Sequence, residues 1–411
     1  MTVPTAAPDA RIRGTLHQLA VAALASGISM RVCDPMLPRL GTEFGRPLAD
    51  VAPVVTAFAI AYGVFSLVHG PLGDRRGKLR VIGIASLVAA FGSLACAFAN
   101  EPAALVALRF VVGGACAAII PLSLAWIGDS VDFAVRQRTL ARFAAASIAG
   151  LIAGQVIGGV AADTTGWRSA FAVPVVLFAV AGSLVLRTAR RDERMVAPGG
   201  GAARGVLGGY ADLLRNPWAR FLMIAVAFEG ALTFGTLAFV PSYLHVRFDL
   251  PLWHAGLVVA AYGVGGLAFA SRAGPIIERH GEARMAGAGG VLLAAGFVAI
   301  VSTPQWGWAT LGCLSAGFGF TMLHNTLQNQ ATQAHPAARG TAIAGFVLCL
   351  FGGQSVGVTL AAALGARTGL AAIFWAFGLA LAILGLVVSR ALARHRRALD
   401  AASVDGAAAG A

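Results

Sequence analysis

The chain has 411 residues, of which 58% are hydrophobic and only 12% are charged, and its net charge is +13. A soluble protein carries about 25% charged residues, so this composition excludes an ordinary soluble enzyme. The apolar residues are gathered in stretches of about 20, the length at which a helix crosses the bilayer core. The sequence therefore predicts an all-α membrane protein.

Twelve such stretches follow one another along the chain. The predicted membrane helices are 15–38, 51–72, 80–99, 102–128, 139–162, 168–187, 219–245, 253–275, 285–303, 307–328, 340–366 and 370–390. The polar segment 188–217 contains several arginines and three consecutive glycines, which is typical of a flexible cytoplasmic linker. We therefore expect one six-helix bundle over 1–187, a second over 218–391, and a disordered cytoplasmic tail over 392–411.

The basic residues are distributed unevenly between the two ends of these helices. With the amino terminus in the cytoplasm, 24 of the 31 lysines and arginines fall in cytoplasmic segments, five are external, and Arg31 and Arg109 lie inside helices. This positive-inside pattern indicates a multi-pass protein of a bacterial inner membrane with both termini in the cytoplasm, not a nucleic-acid partner. The five cysteines lie within predicted helices without metal or redox spacing, so we expect packing roles and no metal site.

The two halves of the chain repeat each other. Three pairs of segments match at offsets of 204, 199 and 203 residues: 70–80 with 274–284, 154–158 with 353–357, and Pro38 with Pro241. Because each half holds six predicted helices, the repeats share one orientation and are related by an axis along the membrane normal.

Several of these segments resemble the motifs of one transporter family. The 70–80 loop resembles the signature Gly-x-x-x-Asp-Arg-x-Gly-Arg/Lys of the major facilitator superfamily, and Arg109-Phe110 with Gly113 and Gly114 is similar to its second motif. Residues 154–159 resemble the antiporter motif Gly-Pro-x-x-Gly-Gly, with Gln155 in place of proline. The resemblance implies the major facilitator fold, with 12 transmembrane helices in two six-helix bundles, and the drug- and sugar-efflux branch.

The resemblance also implies that the loop after the second helix is a gate latch. Its members would be Gly70, Asp74, Arg75, Gly77, Lys78 and Asp129. Asp74 would cap a helix of the other half through the helix dipole, and Lys78 and Arg75 would pair with Asp129. The first glycine would allow close helix approach and the second a tight turn. A solvated basic loop would explain the arginines but not the spacing of the glycines and the acid.

Two acids lie well inside predicted helices, Asp34 in the first and Glu229 in the seventh. A buried ionisable group is costly unless it is paired, protonated or hydrated, so it indicates function. Either acid could bind and release a proton as access alternates. The alternative is a fixed ion pair, which Arg31 and Arg109 make plausible for Asp34, whereas Glu229 has no basic neighbour in its own helix.

Five more polar side chains are candidates for a central cavity: Arg109, Gln155, His324, Asn325 and Gln354. Arg109 would tune the proton affinity of Asp34, hold an anionic substrate, or act only as a counter-ion. The two glutamines occupy equivalent places in helices 5 and 11 and are candidate substrate or gating contacts, while the glycines around them favour close helix packing. His324 begins a polar run that requires a hydrated cavity or the cytoplasmic mouth, and histidine changes charge near neutral pH.

The chain lacks the residue patterns of ATP hydrolysis and of enzymatic catalysis. Gly73-x3-Gly77-Lys78 has neither the spacing nor the Ser/Thr of a P-loop. We therefore predict a monomeric secondary transporter that needs no cofactor and uses the proton gradient to export a small organic solute by antiport. The alternatives are a proton symporter that imports a sugar or organic acid, because Gln155 alters the antiporter motif, and more distantly a non-transporting sensor or scaffold.

Overall fold

The structure, a computed structural model, describes residues 10–192, 213–334 and 339–409. Within these ranges the regular elements are helical. They are α1 (Ala10–Arg31), α2 (Leu37–Phe44), α3 (Leu48–Val51), α4 (Pro53–Arg76), α5 (Lys78–Ala97), α6 (Pro102–Ser130), α7 (Phe133–Asp163), a short 3-10 helix (Trp167–Phe171), α8 (Ala172–Asp192), α9 (Pro217–Leu237), α10 (Val240–Phe248), α11 (Leu252–Ala270), α12 (Ala273–His280), α13 (Glu282–Ser302), α14 (Trp306–Ala334), α15 (Arg339–Thr368) and α16 (Leu370–Ala409).

The helices are those of a multi-pass membrane protein. Ten helical segments in the described parts of the chain are long and apolar enough to cross a membrane. The first and tenth predicted spans are not among these ten, but they also form helices, α1 and α14. α1 begins and ends with arginines, and α14 ends in a polar run, which lowers their mean hydropathy.

The first and seventh predicted membrane helices are each broken at the same place in the repeat. The first is interrupted over residues 32–36, where Pro35 disfavours the helical conformation of the residue before it. The seventh is interrupted between α9 and α10. Pro38 and Pro241 both occupy the first turn of the segment after the break, where a missing N–H costs nothing. Asp34 therefore lies in a break, not in the continuous helix that was expected.

Equivalent glycines bring equivalent helices into contact within each half. A Cβ added at Gly158 on α7 would lie 2.0 Å from the carbonyl oxygen of Val32, next to the end of α1. A Cβ added at Gly357 on α15 would lie 1.9 Å from that of Ala231 on α9. The packing interpretation of these glycines is confirmed, and the internal repeat is visible in three dimensions.

The two halves meet along two seams, α7 with α11 and α4 with α15. We call the end of the bundle that contains the start of α1 and the turn between α4 and α5 the near end, and the opposite one the far end. The α7–α11 seam starts at the far end, at Asp163. In the second seam Ser355 Oγ donates to the Thr56 carbonyl oxygen at 3.3 Å and Ser66 Oγ to that of Ala344 at 3.5 Å. At the far end a Cβ added at Gly159 on α7 would lie 2.5 Å from the carbonyl oxygen of Leu252 on α11, so the two halves are closed against each other there.

Two predicted boundaries change. α8 continues to Asp192, and most of the predicted linker 188–217 lies outside the described residues. The tail 392–411, expected to be disordered, is helical as far as Ala409 because α16 continues without a break. This segment is rich in alanine, leucine and arginine and contains no proline, and such residues favour helix.

Candidate functional site

The acid of the second half is paired with the histidine of α14. Glu229 is fully buried in the middle of α9, and its Oε2 lies 2.9 Å from Nδ1 of His324. The other carboxylate oxygen has no hydrogen-bond partner among the described residues. The His324 side chain is 17% exposed, so the pair joins a fully buried acid to a partly exposed imidazole. His324 also stacks on Phe320, with ring centroids 4.9 Å apart.

The acid of the first half has a different kind of partner. Asp34 is fully buried, and its Oδ2 lies 3.4 Å from Nη1 of Arg31. Gln155, on α7, donates through Nε2 to the same oxygen at 3.2 Å. The glutamine that replaces the motif proline therefore binds the buried acid. Arg31, which is permanently charged, and Gln155 therefore contact the same oxygen of Asp34.

Aromatic rings connect the two acid clusters across the interface between the halves. The Arg31 guanidinium lies over the ring of Phe234, 4.4 Å from its centroid. Phe234 packs edge-on against Phe320 at 5.3 Å, and Phe320 in turn stacks on His324. Tyr262, 5.8 Å from Phe320, has a buried hydroxyl without a partner in the described structure. The Arg31–Asp34 cluster of one half and the Glu229–His324 pair of the other therefore contact one connected group of aromatic rings.

The remaining cavity candidates separate into buried and accessible groups. Arg109 is buried between α6 and α4, where its guanidinium lies 4.3 Å from the Phe58 ring centroid and Nε donates to the Val54 carbonyl oxygen at 3.4 Å. It forms no ion pair with Asp34, because Arg31 holds that acid. Gln354 is also buried, and its Oε1 lacks a partner among described residues.

The polar run of α14 reaches the near end of the bundle. Asn325 is half-buried, one residue after His324. Further along, Asn329 and Gln330 both donate to the carboxylate of Glu282 at the start of α13. The end of the run is therefore satisfied partly by a neighbouring helix and partly at the exposed near end.

The loop between α4 and α5 forms part of the expected latch. Lys78 Nζ lies 2.7 Å from Asp129 Oδ2 on α6 and 3.5 Å from Asp74 Oδ1, so the Lys78–Asp129 pairing is confirmed. Arg75 makes no ion pair with Asp129 among the described side chains. Gly77 has φ of 85°, as the predicted tight turn requires.

Two other contacts expected for this loop are not made by the described residues in the present conformation. Asp74 is 71% exposed and bonds within its own loop, with no helix of the other half capped by it. Gly70 faces open space, whereas a Cβ at Gly73 would lie 2.6 Å from Leu122 Cδ2. Because the halves are closed at the far end, the near-end loop is not held against the other half.

Sequence patterns located the charged residues but not their aromatic surroundings. Phe234 and Phe320 have the composition of any apolar membrane helix, so nothing marked them as part of a site. Tyr262 carried a weak signal, because it is one of only four tyrosines and places a hydroxyl inside an apolar segment. The Glu229–His324 pair joins residues 95 positions apart, and each was identified only separately.

The chain is similar in sequence to known proteins. The family model described as Major Facilitator Superfamily matches residues 19–350. The chain is 24% identical over 376 residues to the uncharacterized MFS-type transporter YceJ of Bacillus subtilis, covering 86% of this chain and 92% of that protein. It is 26% identical over 162 residues to the quinolone resistance protein NorB of Staphylococcus aureus, covering 39% of this chain and 35% of that protein.

A solved structure shows the same fold. A bacterial homologue of the human lysosomal transporter Spinster, in an inward-facing and unoccupied conformation, superposes with a TM-score of 0.72 at 14% identity. The match covers 93% of this chain and 98% of that one.

Proposed function

The chain belongs to the major facilitator superfamily, and we propose that it exports a small organic solute in exchange for protons. As a member it is a multi-pass membrane transporter and not an enzyme. The export direction, the proton coupling and a cytoplasmic location of the near end in a bacterial inner membrane are our proposal. One observation carries it: the buried carboxylate of Glu229 is paired with His324, which can itself gain or lose a proton.

The contrast between the two acids supports Glu229 as the proton carrier. Asp34 is held in place by the permanent charge of Arg31 and by the amide of Gln155, so we assign it a fixed structural role. A carboxylate beside an imidazole can share a proton with it and pass that proton on, because both groups can bind and release one. Partial exposure of His324 offers the proton a route to water, while Glu229 itself is sealed.

The position of this pair supports coupling between proton and substrate. Loading or unloading one proton changes the net charge of the pair by one unit. The imidazole lies against Phe320, whose ring also contacts Phe234 beneath the Arg31 guanidinium. A substrate bound on this aromatic surface would therefore sense the protonation of the pair, and proton and substrate would influence each other's binding.

The driving force is sufficient for export without ATP. A membrane potential of ~100 mV supplies about 2.3 kcal/mol per charge moved. A pH difference of one unit adds ~1.4 kcal/mol. Together these terms support a concentration ratio of roughly 500-fold for one net charge.

The substrate class follows from the surface that would hold it. Phe234, Tyr262, Phe320 and Phe346 form an aromatic cluster beside the acid pair, in which Phe234 and Phe346 are buried and Tyr262 and Phe320 are partly exposed. Planar aromatic compounds would stack on the partly exposed rings. Since NorB is named for quinolone resistance, quinolones are suitable first members of a ligand screen, in which a bound ligand raises the melting temperature.

The near-end loop is proposed as the gate that alternates with the far-end closure. Lys78 and Asp129 hold the loop within the first half in the present state. Asp74 pairs only with Lys78 of its own loop among the described residues and is 71% exposed, so it is accessible to the other half when the near end closes.

Transport into proteoliposomes tests the function. The purified full-length chain is reconstituted, and a quinolone that stabilises it is supplied on one side with an imposed pH gradient. Antiport predicts drug movement opposite to the proton flow. Movement in the same direction as the protons would establish the symporter alternative, which the altered antiporter motif at Gln155 favours. Movement unaffected by the gradient would contradict proton coupling.

A further inference from the structure

The membrane helix α11 begins at the far end without a capping side chain of its own. Its N-cap residue is Pro251, with φ −52° and ψ 144°, and no side-chain cap hydrogen bond forms there. The first N–H groups of a helix have no partner within it and need an external acceptor. Proline offers no acceptor in its side chain, so the start of α11 depends on another part of the molecule.

The missing acceptor comes from the other half of the protein. The backbone N–H of Trp253 donates to Oδ2 of Asp163 at 2.8 Å. Trp253 is the second residue of α11, one of the two positions that an N-cap side chain normally bonds. A carboxylate at this place also faces the positive end of the helix dipole. Asp163, the last residue of α7, thus acts as an N-cap supplied across the interface between the halves.

The backbones of α7 and α11 approach each other closely around this contact, as they can only while the far end is closed. A Cβ added at Gly159, one turn before Asp163, would lie 2.5 Å from the carbonyl oxygen of Leu252. The two backbones are therefore in direct contact. Separation of the halves at the far end would break this contact and leave the first turn of α11 without its acceptor.

The second seam lacks the same device. Pro47, 204 residues before Pro251, likewise begins a helix in an extended conformation without a side-chain cap. The position that corresponds to Asp163, 199 residues later, is Ala362 on α15. Alanine has no acceptor to offer, so the internal repeat contains the cap in one seam only.

We propose that Asp163 is a positioning residue of the transport cycle, whose carboxylate caps α11 across the two halves while the far end is closed and thereby favours that state. The inference rests on the proposed alternating-access function. It adds a residue outside the loop motif and outside the central acids, and it makes the far-end gate a helix cap that forms and breaks once per cycle.

Distances across the far end test the cap. Thr165→Cys and Val246→Cys place spin labels on exposed positions of the two halves, in a Cys349→Ser background because the other native cysteines are buried. Pulsed electron resonance on the full chain in lipid nanodiscs then measures the closed and open populations. Asp163→Ala should raise the ratio of open to closed far ends roughly fivefold, the effect of losing a typical cap.

Three comparisons separate capping from other roles. Asp163→Asn keeps an acceptor oxygen and should stay near wild type, since asparagine caps as well as aspartate. Thr164→Ala should change nothing, because that hydroxyl bonds to Val160 of its own helix. Gly159→Ala should open the far end through a backbone clash.

The outcomes are distinct for the cap and for the transport function. Equal distance distributions in Asp163→Ala and wild type would overturn the inference, and so would an asparagine variant as open as the alanine variant. If the wild type itself shows one and the same single distance at acidic and at alkaline pH, alternating access fails as well. A shift of the distance distribution in Asp163→Ala, with Asp163→Asn and Thr164→Ala like the wild type, supports the cap. This result does not require knowledge of the transported solute.

Discussion

His324 Nδ1 lies 2.9 Å from Glu229 Oε2 and joins the first membrane helix of the second half to its fourth. The Glu229 carboxylate is fully buried, while the His324 imidazole is partly exposed. In the first half the buried acid is bound by Arg31 instead. The two halves thus repeat in backbone but differ in the partner of the buried acid, which is an arginine in the first half and a histidine in the second.

Removing either member of the Arg31–Asp34 pair should destabilise the protein more than removing both. Asp34→Asn leaves the buried Arg31 without its counter-charge and should destabilise the protein by about 3–5 kcal/mol. Arg31→Met should cost a similar amount, whereas the double variant should recover most of it because no charge is left unpaired. Thermal unfolding in detergent measures all three. Additive losses in the double variant would show that the two side chains do not form a coupled pair.

The glycines of α15 predict opposite outcomes for two neighbouring substitutions. Gly357→Ala places a Cβ 1.9 Å from the Ala231 carbonyl oxygen, so α9 and α15 must move apart and the melting temperature should fall. Gly352→Ala meets nothing within 4 Å and should be neutral or stabilising by up to ~1 kcal/mol, because alanine favours helix. Equal melting temperatures for the two variants would contradict the close approach.

The near-end loop predicts a loss of transport without a loss of stability. Lys78 and Asp129 are partly exposed, and such pairs contribute about 0–1 kcal/mol to stability. Asp74→Asn removes the charge proposed to meet the other half. It should slow turnover roughly fivefold for ~1 kcal/mol lost from the closed gate, with normal insertion and melting temperature. Wild-type turnover in Asp74→Asn would remove Asp74 from the gate.

We expect an ion pair at the far end to make the stability of the protein depend slightly on pH under acidic conditions. The hydrogen bond from Arg168 to the Glu43 carboxylate lowers the pKa of Glu43 below its ordinary value of 4.5. A lowered pKa in the folded state means that this stabilisation is complete above pH 4.5 and is lost as the pH falls through the lower folded value. Glu43→Gln should therefore flatten the fall in melting temperature below pH 4.5. Glu101→Gln, at an exposed acid of the same end, is the matched control, and identical pH curves for both variants would contradict the pairing.

The sequence predicted the order of helices because apolar length and positive charge are local properties. It also predicted the Lys78–Asp129 contact and the turn at Gly77 through a spaced motif. It did not predict the break at Asp34, although Pro35 marks it, because the apolar run continues through it. The partner of Glu229 and the cap of α11 by Asp163 depend on contacts between distant helices, which no local pattern records.

Proton-driven transport by the Glu229→Gln variant tests the central claim most directly. Glutamine keeps the size and a hydrogen bond to His324 but cannot take up a proton. We predict that substrate exchange between two solutions at equal pH persists in proteoliposomes, while the acceleration by an imposed pH gradient disappears. A Glu229→Gln variant that remains fully driven by the pH gradient would contradict the assignment of Glu229 and His324 as the proton site.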